Sequence, residues 1–112
     1  MENKEVNATI KYIRMSPFKL RRVADLIRNS DVKKALSILK NLPHRSAKAL
    51  YSTVFSCMSN AINNHNMDKE KLFLTKLIVN EGPHSSRFRP RARGRVFREM
   101  RRTSHIEVQM KE

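Results

Sequence analysis

Five arginines occupy every second position from Arg87 to Arg95, and Pro90 and Gly94 lie among them. Alternation at period two is typical of extended chain, in which every second side chain faces the same way. Proline and glycine inside such a run exclude it from the middle of a regular sheet. The run therefore predicts an arm, over about residues 82–98, that extends from the rest of the chain and turns back on itself.

The charge of the whole chain indicates what this arm binds. The 112 residues include 24 Lys and Arg against 10 Asp and Glu, which gives a formal net charge of +14. A compact body with that charge repels itself and normally works bound to a polyanion. Arginine dominates the arm, and its planar fork suits bidentate phosphate contacts and base stacking better than the point charge of lysine. Nucleic acid is therefore the expected partner.

Residues that could carry catalysis or a metal are few and scattered. The lone cysteine, Cys57, allows no internal disulfide, and we interpret it as a small helix residue beside the core. The four histidines show no metal-ligand spacing, and two glycines cannot make a phosphate-binding loop. We therefore expect no enzyme, no metal and no cofactor.

Targeting and membrane signals are also missing from the pattern. No apolar run approaches membrane-spanning length, and the stretch MENKEVNATI has the features of neither a signal peptide nor a transit peptide. We expect one domain, residues 1–112, with no membrane partner and no small-molecule substrate.

Helical periodicity appears in three segments. The first helix is expected to begin after a Ser16 cap, with Pro17 in its first turn, and to end at Asn29. The second is expected to run from an Asp31 cap to Leu42. The third is expected to run from about Arg45 to Asn64.

Strand patterns lie before and after these helices. Val6–Ile13 alternates, with Val6, Ala8, Ile10 and Tyr12 on one face, Leu72–Val79 is nearly all apolar, and apolar residues alternate again from Ile106 to Met110. The last two strands and the arm predict one long antiparallel hairpin, whose limbs of about eight residues would reach on the order of 25 Å. The fold class is therefore α+β.

Several functions fit this pattern. The arm could be a disordered basic loop in the free protein that becomes ordered on binding. Residues Ser16 to Lys40 could be a helix-turn-helix, which would leave the arm unexplained. A DNA-bending protein with basic arms and proline wedges is another possibility, and a small RNA-modifying enzyme is disfavoured because no site is evident.

Motifs along the whole chain decide among these possibilities, because in this order they resemble the large-subunit ribosomal protein twenty-two family. The matching residues are Tyr12 to Pro17, Lys19, Leu20, Val23 to Arg28, Ala35-Leu36, Ile38-Leu39, Ser59 to Ala61, Glu81 to Pro83, Arg87, Pro90 to Ala92, Gly94-Arg95 and Arg102 to Ile106. Each piece alone is weak, and together they are highly specific. The chain departs from the family pattern at Ser85-Ser86, Asn29-Ser30, Arg89 and the segment Val96 to Glu99.

The resemblance implies three helices on a three-stranded antiparallel sheet, with one long protruding β-hairpin inserted into large-subunit rRNA. It implies a scaffold that binds and organises rRNA during assembly, with the hairpin lining the nascent-peptide exit tunnel. Partners would be rRNA, neighbouring ribosomal proteins and the nascent peptide. The ribosome would be bacterial and cytoplasmic, or that of a plastid. Ser85, Ser86 and Arg87 match positions near which changes in the family affect the response to macrolides.

Two sets of site residues follow from the charge pattern and the resemblance together. The tunnel tip is expected at Pro90, Arg91, Ala92, Arg93, Gly94 and Arg95. Contacts to rRNA are expected from Arg14, Lys19, Arg21, Arg22, Arg28, Arg87, Phe88, Arg89, Arg91, Arg93, Arg95, Arg98, Arg101, Arg102 and His105. Phe88 would stack on a base.

Overall fold

A computed structural model describes residues 5–112 of the chain. Residues 1–4, part of the stretch in which no targeting signal is expected, lie outside the described residues. The elements in order are β1 (Glu5–Ile13), α1 (Pro17–Ile27), α2 (Val32–Asn41), α3 (Arg45–His65), a 3₁₀ turn (Lys69–Lys71), β2 (Phe73–Glu81), β3 (Ser85–Pro90), a second 3₁₀ turn (Ala92–Gly94), β4 (Val96–Arg101) and β5 (Ser104–Lys111).

The body is a three-stranded antiparallel sheet packed by three helices. Strand β5 lies in the middle, between β1 and β2. Its inward residues Ile106, Val108 and Met110 are fully buried, as the alternation predicts. Leu20, Leu50 and other apolar residues of the helices complete the core against them. The predicted α+β class is confirmed.

One side chain of β1 does not lie where the alternation places it. The pairing of β1 with β5 shifts register between Ile10 and Ile13. Within this bulge Tyr12 has a left-handed backbone (φ 61°) and is 65% exposed. The expectation that Tyr12 shares the apolar face of the strand is wrong, because the extra residue of a bulge re-aims the side chains around it. Its ring instead meets His105 edge-on, with centroids 5.0 Å apart.

The helix starts are predicted at the right residues, and Pro17 lies in the first turn of α1 as expected, but the predicted side-chain caps are wrong. Ser16 and Asp31 occupy the N-cap positions of α1 and α2, yet neither side chain makes a capping hydrogen bond. The N-terminal end of α3, behind His44, also has no side-chain cap. None of the three helices has an acidic residue in its first turn. Backbone N–H groups at these helix starts are therefore left without the usual side-chain acceptor.

The arm is a separate two-stranded sheet. Strands β3 and β4 pair antiparallel with each other, from Ser85 opposite Arg101 to Pro90 opposite Val96. The protruding β-hairpin of the predicted fold is thus confirmed, and it makes the described chain 67 Å long against 25 and 19 Å across. The strands of the arm connect to β2 and β5, so the arm continues from the edge of the body sheet.

Candidate nucleic-acid interface

The tip of the arm is a tight turn whose arginines are all exposed. The Arg91 N–H donates to the Arg95 carbonyl at 2.6 Å and closes the turn. Arg93 and Gly94 both have left-handed backbones, with φ of 63° and 71°. The two-residue alternation of an extended chain therefore ends at the tip.

The limbs of the arm have two unlike faces, because directly opposed residues of an antiparallel pair lie on the same face. Arg87 lies opposite Glu99 and Arg89 opposite Phe97, which makes one face cationic. On the other face Phe88 lies opposite Arg98, and the neighbouring pairs are Ser86 with Met100 and Pro90 with Val96. Phe88 is 73% exposed, so its ring is free to stack on a base or an apolar group.

Glu99 is the only acid of the two arm strands, and it joins two of the arginines. Its Oε2 lies 3.3 Å from Arg89 Nε and 3.9 Å from Arg101 Nη2. On the opposite face Arg98 Nε donates to Ser86 Oγ at 2.9 Å. Ion pairs this exposed contribute little to stability. These contacts orient the guanidinium groups and leave most of their N–H donors available to a ligand.

Two predicted rRNA contacts, one in α1 and one at its C-cap, make contacts within the protein. Arg21 donates from Nε and Nη2 to the carbonyl of Val79, at 3.2 and 3.0 Å. Arg28 donates from Nε to the carbonyl of Leu77 at 3.1 Å, and its Nη1 pairs with Asp25. Both carbonyls belong to β2, an edge strand of the body sheet whose outer side pairs with Asp31 at Phe73. Part of the donor capacity of these arginines is therefore used to cover a sheet edge.

The base of the arm holds two other predicted residues. His105 Nδ1 accepts the backbone N–H of Tyr12 at 3.0 Å, which leaves Nε2 as the donor of the ring. Arg102 Nη1 lies 3.8 Å from Glu81 Oε1, across the point where β2 and β5 leave the body sheet. Both side chains thus help to fix the base of the arm.

A cationic groove of about 790 Å³ lies between the body and the base of the arm. Within residues 5–112, six cations and no acid line it: Arg14, Lys19, Arg45, Arg87, Arg101 and Arg102. Five of them are among the predicted rRNA contacts, and the fold brings these together from distant parts of the sequence. A second cleft, of about 320 Å³, adjoins the groove through Lys19 and Arg45 and includes Arg22.

Arg45 is the cation of the groove that the sequence reasoning missed. It is the first residue of α3, where the positive end of the helix dipole disfavours a basic side chain. Basic residues in an uncapped first turn, with no acid beside them, are a signal that an anion is expected there. The same signal is present at Lys19 in the first turn of α1.

The interpretation of Cys57 as a core residue is confirmed. It is fully buried, its thiol donates to the Val6 carbonyl at 3.6 Å, and burial raises the pKa of the thiol to about 11. A thiol in this state is protonated at neutral pH and is a poor nucleophile. Among residues 5–112, no group of three His, Cys, Asp or Glu side chains is placed to hold a metal ion. No helix of that range is long and apolar enough to cross a membrane.

Comparison with known proteins gives one consistent family. A family model described as Ribosomal protein L22p/L17e matches residues 8–111. Large ribosomal subunit protein uL22 of Caldicellulosiruptor saccharolyticus is 48% identical over 111 residues, covering 99% of this chain and 91% of the relative. The protein of the same name from Clostridioides difficile is 47% identical over 108 residues, covering 96% and 97%. That from Mycoplasmopsis agalactiae is 42% identical over 112 residues, covering 100% and 98%.

Proposed function

The chain belongs to the ribosomal protein L22p/L17e family, and from that membership we infer that it is a structural constituent of the large ribosomal subunit. Its near full-length relatives carry the name of a large-subunit protein. The role is structural rather than catalytic. The relatives are bacterial, which favours the cytoplasmic ribosome of a bacterium over that of a plastid.

Binding of large-subunit rRNA is the activity that the geometry supports best. The observation that carries it is the acid-poor, arginine-rich arm, exposed along its length and continuous with the cationic groove at its base. Recognition would be mainly of RNA shape and phosphate position, because the major groove of A-form RNA is too narrow for side chains to read. The protein would hold separated rRNA segments together during assembly.

We propose that the tip, residues 90–95, lines the nascent-peptide exit tunnel. The turn is wholly exposed, and the left-handed backbones of Arg93 and Gly94 end the alternation that would place its arginines on one face. This arrangement suits a tip surrounded by RNA on several sides better than a ribbon that lies on one surface. The nascent peptide and neighbouring ribosomal proteins would be its other partners.

The rRNA contacts proposed for the arm are tested by removing two tip arginines. Arg91→Ala with Arg95→Ala should weaken binding of a large-subunit rRNA transcript and flatten the dependence of log affinity on log salt. Each lost phosphate contact should reduce the slope by about 0.7 to 0.9, so the pair by about 1.4 to 1.8. Filter binding across a series of KCl concentrations measures both quantities.

Lys69→Ala with Lys71→Ala is the matched control, since both lysines are exposed in a body turn away from the arm. This control should keep most of the slope. An unchanged slope in the tip variant would show that these arginines do not touch phosphate. Equal binding of duplex DNA and rRNA by the wild type would instead favour an architectural DNA-binding role.

A further inference from the structure

We propose that a groove between α2 and α3, on the body of the protein, is a docking site for an acidic amphipathic helix of another protein. This inference goes beyond the proposed function, because it assigns a protein partner to a surface that contains none of the predicted rRNA contacts. The lining of this α2–α3 groove shares no residue with the cationic groove or with the cleft that adjoins it.

The α2–α3 groove has a volume of about 440 Å³. Its lining residues come from the end of α2 and from α3: Leu39, Lys40, Leu42, Lys48, Tyr51 and Ser52. The first three belong to the last turn and the C-cap of α2, and the other three lie within α3. Each of the two walls therefore combines apolar surface with one lysine.

The apolar part of the groove extends to an exposed aromatic ring. Leu39 is buried in the core, and Leu42 and Tyr51 are half-buried against it. The Tyr51 ring stacks with that of Phe55, one turn further along α3, with centroids 6.1 Å apart. Phe55 is 47% exposed. Apolar surface with exposed aromatic rings and a polar rim is typical of the centre of a protein interface.

The charge around the groove indicates which kind of protein fits it. Lys40 and Lys48 are exposed, and neither forms an ion pair within residues 5–112. The sequence contains no acid between Asp31 and Asp68. A partner helix with an apolar stripe bordered by acids would bury the stripe in the groove and place an acid beside the lysine of each wall.

An RNA strand fits this groove less well than an acidic helix does. The cations here are two lysines, whereas five arginines and one lysine line the cationic groove at the base of the arm. Arginine is the better residue for bidentate phosphate contacts and for stacking on bases. The leucine side chains of the α2–α3 groove offer no hydrogen bond to a base edge, but they gain from contact with apolar side chains of a protein.

A designed peptide tests whether the groove selects such a helix. The probe is a fluorescein-labelled peptide of about 20 residues, with leucines at i, i+3, i+4 and i+7 and glutamates beside them. Fluorescence anisotropy measures its binding to the full chain. A scrambled peptide of the same composition has no apolar stripe and should bind at least about fivefold more weakly, although the basic chain attracts both.

The contribution of charge is tested with Lys40→Ala and Lys48→Ala together. Binding of the probe should weaken by about threefold to tenfold at low salt, because one exposed charge pair is lost on each wall. The matched control is Lys69→Ala with Lys71→Ala, which removes the same charge from an exposed turn before β2. This control should change the affinity by less than about twofold.

Ser52 and Phe55 test the same surface without removing a lysine. Ser52 is exposed, so Ser52→Glu should weaken probe binding by about fivefold and Ser52→Lys should strengthen it. Phe55→Ser keeps the net charge and should weaken binding by about tenfold, because it removes the exposed ring. Helical circular dichroism and the midpoint of urea unfolding verify that each variant is folded. Amide NMR shifts caused by the probe should concentrate at residues 39–42 and 48–55.

The outcomes distinguish a protein-docking site from an RNA surface. Ser52→Glu and Phe55→Ser should bind the rRNA transcript within about twofold of the wild type at about 0.15 M KCl. If both variants lose rRNA affinity as strongly as they lose the probe, the groove is an RNA surface and the proposal is wrong. A wild type that binds the ordered and scrambled peptides equally, or a groove variant that loses no more than the turn control, would also contradict it.

Discussion

At the scale of single residues, Gly82 lies at the base of the arm, where there is no room for a side chain. A Cβ at this position would lie 2.6 Å from Thr103 Oγ1 and 3.1 Å from His105 Cε1. Both neighbours are held in place, because Thr103 donates to Pro83 and His105 accepts from Tyr12. The close approach of the two chain segments at the base of the arm therefore requires a residue without a side chain.

Gly82→Ala should destabilise the protein by about 1 to 3 kcal/mol, the usual cost of overpacking a site that cannot expand. Urea unfolding followed by circular dichroism measures it. Adding Thr103→Ala should restore part of the loss, because it removes the atom nearest to the new Cβ.

Gly94 provides the contrasting glycine. A Cβ there meets nothing within 4 Å, and only the left-handed backbone (φ 71°) opposes a side chain. Gly94→Ala should therefore leave the unfolding midpoint of the body close to that of the wild type and perturb the tip alone. If Gly82→Ala were as stable as Gly94→Ala, the close approach at the base would not be rigid.

At the scale of secondary-structure elements, α1 protects an edge of the sheet. Strand edges with free carbonyl groups invite pairing with another chain. Arg21 lies within α1, and Arg28 follows the last residue of the helix as its C-cap. Their guanidinium groups reach the carbonyls of Val79 and Leu77 on β2. Arg21 and Arg28, which the sequence predicts to contact RNA, thus also stabilise the fold.

Arg21→Ala and Arg28→Ala should each lower the free energy of unfolding by about 1 to 3 kcal/mol, because each leaves a carbonyl without its charged donor. Arg22→Ala is the matched control on the same helix, exposed and outside this contact, and should change stability by less than about 0.5 kcal/mol. Equilibrium unfolding in urea compares the three variants.

The double variant Arg21→Ala, Arg28→Ala should also form more soluble oligomers in light scattering, because the edge of β2 is then open. Equal stability of the Arg21 and Arg22 variants would show that the contacts to Val79 contribute nothing.

At the scale of the whole molecule, net charge opposes the compact state. The chain carries a formal net charge of +14. The longest dimension of the described chain is 67 Å and includes the charged arm. The Debye length falls from about 30 Å at 0.01 M salt to about 8 Å at 0.15 M, so repulsion across the body is screened only at the higher concentration. The protein is suited to a polyanionic surrounding that supplies this screening.

The free protein should therefore become more stable as KCl rises from 0.01 to 0.15 M, with a Tm increase on the order of 5 °C, since about 1 kcal/mol corresponds to several degrees in a domain near this size. Differential scanning calorimetry measures it. Sodium sulfate at equal ionic strength should raise the Tm further, because sulfate is excluded from the protein surface and so favours the compact state. A Tm that falls or stays constant with salt would contradict self-repulsion as the main electrostatic effect.

The sequence by itself determined the class of fold, the elements and the existence of the arm. Periodicity and proline positions carry that information locally, so all three helices and the apolar face of β5 follow from it. It also determined the family, because the motifs match in order along the chain. The arginine alternation predicted an extended arm, and the left-handed Arg93 and Gly94 show where that alternation stops.

Only the tertiary structure decided what each cation does. Arg21 and Arg22 are neighbours in sequence and alike in charge, yet one covers the edge of β2 and the other faces a cleft. Arg45 joins the other cations of the groove only when α3 packs beside the base of the arm. The physical reason is that the number and order of charged residues can be read from a sequence. The carbonyls, helix starts and neighbouring cations that each charged side chain meets belong to distant segments, which only folding brings together.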